Sequence, residues 1–156
     1  MFLVHDKIEA RHRYIARFLD NEDAPVAILL AAADFERCVR RGILGLGISP
    51  TKIIRETYFK SSFHGLDKFK EAWKAEVKPR TGRNLANDVV MHWSTFIDAY
   101  GFRHKLIHGA TRKISPAFAS EKARLILSAS IAINKLATGH GVDLDKTIRR
   151  YKRFAA

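Results

Sequence analysis

Apolar residues recur at three- and four-residue spacing along most of this chain, a pattern that predicts helices separated by short polar loops. The longest regular stretch covers residues 25–44, with one apolar stripe at Ile28, Ala31, Ala32, Phe35, Val39 and Ile43. Asp23 precedes it as a candidate cap, and Pro25 falls in the first turn, where its missing N–H breaks no helical hydrogen bond. Gly45 and Gly47 are expected to end this helix.

The same spacing predicts helices on both sides of that stretch. Residues 3–19 form a mixed, charged helix, and Ser49-Pro50 opens a shorter one. Residues 60–83 are basic and less regular, and they end in a turn-rich loop at 78–83. Before that loop, helical spacing is kept by Phe63, Leu66, Phe69, Trp73 and Val77.

Two more long helices are predicted in the second half of the chain. One covers residues 85–108 and stops at Gly109. The other covers 117–137, with a buried side at Ala123, Ile126, Leu127, Ser130, Ile133 and Ala137. A final basic helix is expected after the run 143–145. Because no strand-type alternation is visible, the predicted fold class is all-α.

The composition is that of an ordinary folded domain. The 156 residues are 47% apolar and 28% charged, so we expect one domain spanning 1–156. No apolar run approaches the roughly 18 residues that cross a bilayer, and the start of the chain has no secretory signal pattern. Cys38 is the only cysteine, which excludes an intrachain disulfide and a cysteine-based zinc site. These features predict a cytoplasmic protein with no membrane segment.

Positive charge is concentrated after the first helix. The chain carries 28 Lys and Arg against 16 acidic residues, a net charge of +12. Residues 1–23 hold four of the basic and five of the acidic side chains, so the whole surplus lies in 24–156. Such a field attracts polyanions and favours RNA or DNA as a partner, although an acidic protein partner or simple solubility also fits it.

The candidate chemistry lies in Arg103-His104-Lys105-Leu106-Ile107-His108-Gly109. RNA carries a 2′-hydroxyl beside each phosphodiester, so its cleavage needs a base, an acid and cations for the developing charge. His108 can act as base or acid near neutral pH, and Arg103 stays charged and can bind two phosphate oxygens. No metal or other cofactor is required. The expected products are a 2′,3′-cyclic phosphate and a 5′-hydroxyl.

Helix geometry separates these two residues within one chain. On an ideal helix, Arg103 and His108 lie about 140° and about 7.5 Å of rise apart. The predicted apolar stripe between them comprises Trp93, Phe96, Ile97, Tyr100 and Ile107, with His104 near its centre. Either the last turn bends, or the stripe faces a second copy of itself and two-fold pairing brings the groups together. We favour the second arrangement and expect a homodimer.

Each of these residues also has a purely structural interpretation. Arg103 could be a solvated arginine that holds an acid, His108 could cap the helix end, and His104 could be a core or interface histidine. The i, i+4 spacing of His104 and His108 suits zinc, but Lys105 between them and the lack of a nearby acid argue against a metal site.

Residues elsewhere could support the motif. Glu36 and Arg40 form an ordinary i, i+4 pair, or else the carboxylate orients Arg103 or a histidine from a neighbouring helix. Cations suited to RNA phosphates, some of them interleaved with aromatic residues near the C-terminus, are Lys105, Lys78, Arg80, Arg83, Arg149, Arg150, Lys152 and Arg153. The C-terminal group could equally be a solvated terminal helix.

The motif resembles that of the HEPN domains, in which an arginine and a polar residue precede a histidine. The resemblance covers Arg103, His104, His108 and Gly109 and a helical core of very roughly residues 25–138. His104 takes a slot in which asparagine is more frequent, so its role is open. The resemblance implies an up-and-down helical bundle with additional short helices, which dimerises with both motifs at the interface.

The resemblance also implies a function. Similar domains serve as metal-independent endoribonucleases in toxin–antitoxin, phage-defence and RNA-processing systems, so we expect RNA as the substrate and an antitoxin or other regulatory protein as a possible partner. Because the family includes inactive members, the alternative is a basic helical module that binds nucleic acid or a partner protein without chemistry.

Overall fold

Seven helices form the regular structure of residues 7–110 and 113–155, the part of the chain that the computed structural model describes. They are α1 (Ile8–Ala16), α2 (Ala24–Leu46), α3 (Thr51–Thr57), α4 (Leu66–Glu76), α5 (Lys78–Thr81), α6 (Trp93–Ile107) and α7 (Pro116–Gly139). β pairing within these residues is limited to one isolated bridge between Ala86 and Val90. The predicted all-α class is confirmed. None of these helices combines the length and apolar composition needed to span a bilayer.

The described residues divide into two compact units. The first comprises residues 7–37, 92–110 and 113–131, and the second comprises 38–91 and 132–155. The first unit therefore contains α1, the first part of α2, α6 and most of α7. The second contains the rest of α2 and α7, the short helices α3 to α5 and the C-terminal segment. The expectation of a single domain over 1–156 stays a prediction.

The apolar stripes of α2 and α7 form cores where the sequence predicts them. Every predicted stripe residue of α2, from Ile28 to Ile43, is fully buried. The predicted stripe residues of α7 are also buried, fully or almost fully. Ser115 caps α7, because its hydroxyl accepts a hydrogen bond from the Phe118 N–H at 3.2 Å, and Pro116 occupies the first helical position. In the second unit Phe63, Phe69, Trp73 and Val77 are buried as well.

The first unit also buries a charged cluster, which fixes α1 on α2. Asp34 is completely buried and accepts a hydrogen bond from Arg11 Nε at 2.6 Å, and His12 Nε2 lies 2.7 Å from its other oxygen. Burial alone would raise the pKa of Asp34. The hydrogen bonds from His12 and Arg11 outweigh that effect, and the pKa lies below its ordinary value.

The helix predicted over 85–108 starts later than expected, and the helix predicted over 3–19 ends earlier, at Ala16. The helix predicted over 85–108 begins only at Trp93, because Asn87 and His92 take left-handed backbone conformations with φ of 67° and 53°. The Asp88 side chain accepts the Asn84 N–H at 2.8 Å, closing a loop in place of a helical turn. The helix predicted over 3–19 is observed as α1, and residues 3–6 lie outside the described part.

The C-terminal helix predicted after residues 143–145 is wrong. This segment is not helical over residues 143–155, because long-range hydrogen bonds hold it against the region around α3. The Arg150 carbonyl accepts the Thr51 N–H at 3.0 Å, and the Phe154 N–H donates to the Ile48 carbonyl at 2.8 Å. Arg41 also donates to the carbonyls of Leu144 and Lys146. These bonds replace the bonds that a helix would make internally. The predicted loop at 78–83 contains the single-turn α5.

Candidate functional site

The buried face of α6 positions the site. Trp93, Phe96 and Ala99 are buried, and the Phe96 ring contacts Phe35 of α2 with centroids 4.7 Å apart. Tyr100 packs against the same Phe35 ring at 5.8 Å. Because of these contacts, the side of α6 that carries Phe96 faces α2 and the core of the first unit.

That orientation corrects the predicted apolar stripe. Ile97 and Ile107, which were expected to be buried in it, are 44% and 57% exposed. Ile97 lies about 100° around the helix from Phe96, beyond Trp93 and Tyr100, so the aromatic contacts with Phe35 leave it at the surface. Ile107 lies on the Phe96 side of α6, but it is the last residue of the helix. His104, expected at the stripe centre, is exposed too, which rules out a core histidine within one chain.

One carboxylate holds the motif arginine. Glu36 of α2 accepts a hydrogen bond from the Tyr100 hydroxyl at 2.5 Å, and its Oε1 lies 3.4 Å from an Nη of Arg103. The Arg103 side chain is 41% exposed, so part of its guanidinium remains open to solvent. Glu36 therefore limits the orientation of Arg103 without enclosing it.

Arg40, expected as a second supporting residue, lies in a different environment. It donates a hydrogen bond to the Phe63 carbonyl, and its guanidinium lies 4.9 Å from the Phe63 ring centroid. The rings of Phe59 and Phe69 lie 5.6 and 5.7 Å from the same group. Arg40 is thus part of an aromatic cluster of the second unit, and it is Arg103 that the Glu36 carboxylate contacts.

The two motif histidines lie together at the end of α6. Their ring centroids are 4.2 Å apart, and both side chains are exposed. The helix ends at Ile107, and the φ of 64° at Gly109 lets the Ala110 N–H bond the Lys105 carbonyl at 2.8 Å. Because backbone groups satisfy this helix end, capping does not require the His108 imidazole.

Arg103 and His108 do not converge within one chain. The His108 N–H still donates to the His104 carbonyl at 3.0 Å, so His108 keeps its helical register. It therefore stays about 140° around the helix from Arg103. Arg103 faces Glu36, whereas His108 faces solvent on the side of Ile97 and His104. The side chains of Arg103 and His108 therefore lie on different sides of α6.

The predicted RNA-binding cations fall in two places. Lys105 lies on α6, exposed, with its Nζ 4.6 Å from the Phe102 ring centroid. The others belong to the second unit, where Arg80, Arg149 and Arg150 line one cleft. The remaining predicted cations, Lys78, Arg83, Lys152 and Arg153, do not line that cleft.

Tyr100 is the site residue that sequence reasoning missed. Its ring was assigned to the apolar stripe, but its hydroxyl bonds the carboxylate that contacts Arg103. The available signal was its position three residues before Arg103, which places both on one helix face. A tyrosine at this position can pack its ring against the core while its hydroxyl makes a hydrogen bond in the site.

No family model matches this chain, and neither the curated proteins nor the solved structures contain a protein with significant similarity to it. The resemblance to HEPN domains therefore stays a prediction that depends on Arg103, His104, His108 and the helical architecture.

Proposed function

We propose that this protein is a metal-independent endoribonuclease that cleaves RNA by attack of the 2′-hydroxyl on the adjacent phosphate. The observation that carries the proposal is the Glu36–Tyr100–Arg103 cluster beside two exposed, contacting histidines. Arg103 is anchored through one nitrogen and 41% exposed, so it can still bind a phosphate oxygen. His104 and His108 are open to a substrate.

The residues divide the chemistry as follows. His108 takes the 2′-hydroxyl proton or supplies a proton to the leaving 5′-oxygen, a role that typically contributes about 10²–10⁴ in rate. Arg103 stabilises the charge that develops on the phosphate, and removing one such donor typically costs about 10²–10³ in rate. Glu36 and Tyr100 position Arg103. His104, in contact with His108, is the candidate for the second proton transfer.

A second copy of the chain would complete the site. Beside the face that contacts Glu36, α6 exposes Ile97, His104 and His108 about 70–110° around the helix, and it exposes Ile107 at its end. Apolar side chains exposed beside imidazoles suit an isologous contact, in which the same surface of each subunit meets its equivalent. Such pairing would bring a partner's Arg103 toward His108, which one helix cannot do. We therefore propose a homodimer as the active form.

The proposal is tested by incubating purified protein with single-stranded RNA in excess EDTA. We expect cleavage with 2′,3′-cyclic phosphate and 5′-hydroxyl ends, identified by mass spectrometry. His108→Ala should lower the rate by at least about a hundredfold. The matched control is His64→Ala, which removes an exposed histidine of the second unit and should leave the rate unchanged. Intact RNA, or equal cleavage by His108→Ala, would overturn the proposal.

A second candidate function is a basic module that binds RNA or an acidic protein without chemistry. It is favoured by the Arg103–Glu36 ion pair, which is also what a purely structural arginine makes. This alternative predicts salt-sensitive RNA binding that is indifferent to His108→Ala and leaves the RNA intact.

For either function we propose a cytoplasmic protein in a toxin–antitoxin, defence or RNA-processing setting. An antitoxin or other regulatory protein would restrain it there.

A further inference from the structure

A cationic cleft lies in the second unit, where the C-terminal segment passes Gly45 and α5. It has a volume of about 610 Å³. Four cationic side chains line it, Arg80, Lys146, Arg149 and Arg150, together with His140 and one carboxylate, Asp143. Asp143 lies 3.6 Å from Lys146 at an exposed position. The cleft therefore has a clear excess of positive charge around a space large enough for a small ligand.

Two of these cations, Arg80 and Arg150, are held side by side by one backbone carbonyl. Arg80 and Arg150 both donate to the Gly45 carbonyl, at 3.0 and 3.1 Å. Burial lowers the pKa of both guanidinium groups, and for Arg150 the neighbouring charge of Arg80 adds to the effect. Like charges at one carbonyl repel each other, so an anion placed between them would be stabilised.

The buried carboxylate of Glu76, whose charge reaches Arg150, has other partners. Glu76 accepts the Ser49 N–H at 3.0 Å on one oxygen and the Ser49 hydroxyl at 2.9 Å on the other. Its charge acts favourably on Arg150 but only partly offsets the effect of burial and of Arg80. In addition, Arg150 Nε is buried without a hydrogen-bond partner among the described residues.

An aromatic ring adjoins the arginine pair. The Phe154 ring centroid lies 3.8 Å from Arg80 Cζ and 5.5 Å from Arg150 Cζ, and the residue keeps 42% of its surface exposed. His140 Nδ1 lies 3.0 Å from the Leu136 carbonyl oxygen. A carbonyl oxygen can only accept a hydrogen bond, so Nδ1 carries the proton of this bond, and Nε2 is the ring nitrogen that this bond does not use. Phosphate recognition and contact with a nucleobase are the two interactions that this set of side chains provides.

We propose that this cleft binds the phosphate group of a nucleotide, with Arg80 and Arg150 as its fixed donors and Lys146 and Arg149 as its mobile ones. The phosphate could belong to a free 5′-nucleotide or to the 5′ end of an RNA. The proposal does not depend on RNA cleavage, because every residue of the cleft belongs to the second unit and none to the Arg103–His108 motif.

The test is isothermal titration calorimetry on the full chain at fixed ionic strength, with three phosphate probes and one control ligand. The probes are inorganic phosphate, a 5′-mononucleotide and a 5′-phosphorylated trinucleotide, and the control is the same trinucleotide with a 5′-hydroxyl. We expect the 5′-phosphorylated trinucleotide to bind at least about tenfold more tightly than its 5′-hydroxyl form, as loss of a charge-assisted contact implies. Tighter binding of the mononucleotide than of the trinucleotide would identify a free nucleotide as the source, and the reverse would identify an RNA end.

Matched variants separate a site from general charge. Arg149→Gln and Lys146→Gln remove exposed side chains of the cleft and should each weaken binding of the phosphate probes about fivefold to tenfold. Arg55→Gln makes the same charge change at an exposed residue of the second unit outside the cleft and should change binding less than twofold. Circular dichroism checks that each variant keeps its helices. Equal binding of the two trinucleotides, or equal weakening by Arg55→Gln and Arg149→Gln, would overturn the proposal.

Discussion

The two units differ in how they compensate charge. In the first unit, the buried Asp34 is enclosed with Arg11 and His12, so that positive and negative groups face each other at hydrogen-bond distance. In the second unit, the half-buried Arg80 and Arg150 share a neutral carbonyl, the carboxylate of Asp143 in their cleft lies 3.6 Å from Lys146, and that of Glu76 is bonded to Ser49. Compensated charge stabilises a fold, whereas uncompensated charge is a place where an anionic ligand adds stability. Arg103 is intermediate, since it has one carboxylate partner and an open side.

The largest effect is expected from Asp34→Ala. It leaves the buried Arg11 without its carboxylate, and breaking a buried pair in this way typically costs about 3–5 kcal/mol in the free energy of unfolding. Urea denaturation followed by circular dichroism measures this. The control is Asp98→Ala, which removes a largely exposed carboxylate 3.1 Å from Lys122 and should cost less than about 1 kcal/mol. Similar losses in the two variants would contradict a special role for the Asp34 cluster.

The second effect is a pH dependence with a defined sign. Because the pKa of Asp34 is lower in the folded protein than its ordinary 3.8, the unfolded chain takes up this proton first as the pH falls. The stabilisation by Asp34 is therefore complete above the unfolded value and is lost as the pH falls through the folded one. Unfolding free energies measured between pH 6 and the acid limit should fall in the parent and fall less steeply in Asp34→Ala. Parallel curves would exclude Asp34 as the source.

A smaller effect is expected from Glu36→Gln on RNA cleavage. The amide can still accept a hydrogen bond from Tyr100, but it no longer attracts Arg103, so the guanidinium is less well positioned. Misplacement of a catalytic group costs about tenfold to a hundredfold in rate, and the loss should appear in kcat. Glu56→Gln, at an exposed residue paired with Lys52, is the control and should cleave as the parent does. Unchanged cleavage by Glu36→Gln would remove Glu36 from the site.

The smallest effect is expected from Arg80→Gln on stability. This variant loses a hydrogen bond to Gly45 and the contact with Phe154, but it also relieves the repulsion of Arg150. We expect the free energy of unfolding to change by less than about 1 kcal/mol. Added phosphate should raise the melting temperature of the parent and have less effect on the variant. An equal rise in both proteins would show that Arg80 and Arg150 do not bind phosphate as a pair.

Local sequence pattern predicts the elements that local interactions determine. The stripes of α2 and α7 repeat without interruption, and both helices lie where the spacing predicts them. The start of α6 was predicted too early because Leu85 and Val89 continue the helical spacing and are buried, although the backbone between them departs from a helix at Asn87. The cluster of Asn84, Asn87 and Asp88 was the local signal for that loop.

Long-range contacts account for the remaining differences. The C-terminal segment is not helical because its backbone bonds Ile48 and Thr51, partners about a hundred positions away. Arg40 bonds Phe63, a pairing that no i, i+4 pattern contains. The contact of Glu36 with Arg103 is one of the arrangements that the sequence allowed. The helical wheel also could not tell which side of α6 is buried, since that depends on Phe35 of α2.

The central claim is that Arg103 and His108 of two paired subunits act on one phosphodiester, and subunit mixing tests it most directly. Arg103→Gln and His108→Ala are purified separately, each inactive on RNA in EDTA, and then mixed and allowed to exchange subunits. A mixed dimer retains one intact arginine and one intact histidine from different chains. We predict that cleavage activity returns on mixing and rises with the fraction of mixed dimer. If the mixture stays as inactive as its components although mixed dimers form, the account of a site shared between subunits is wrong.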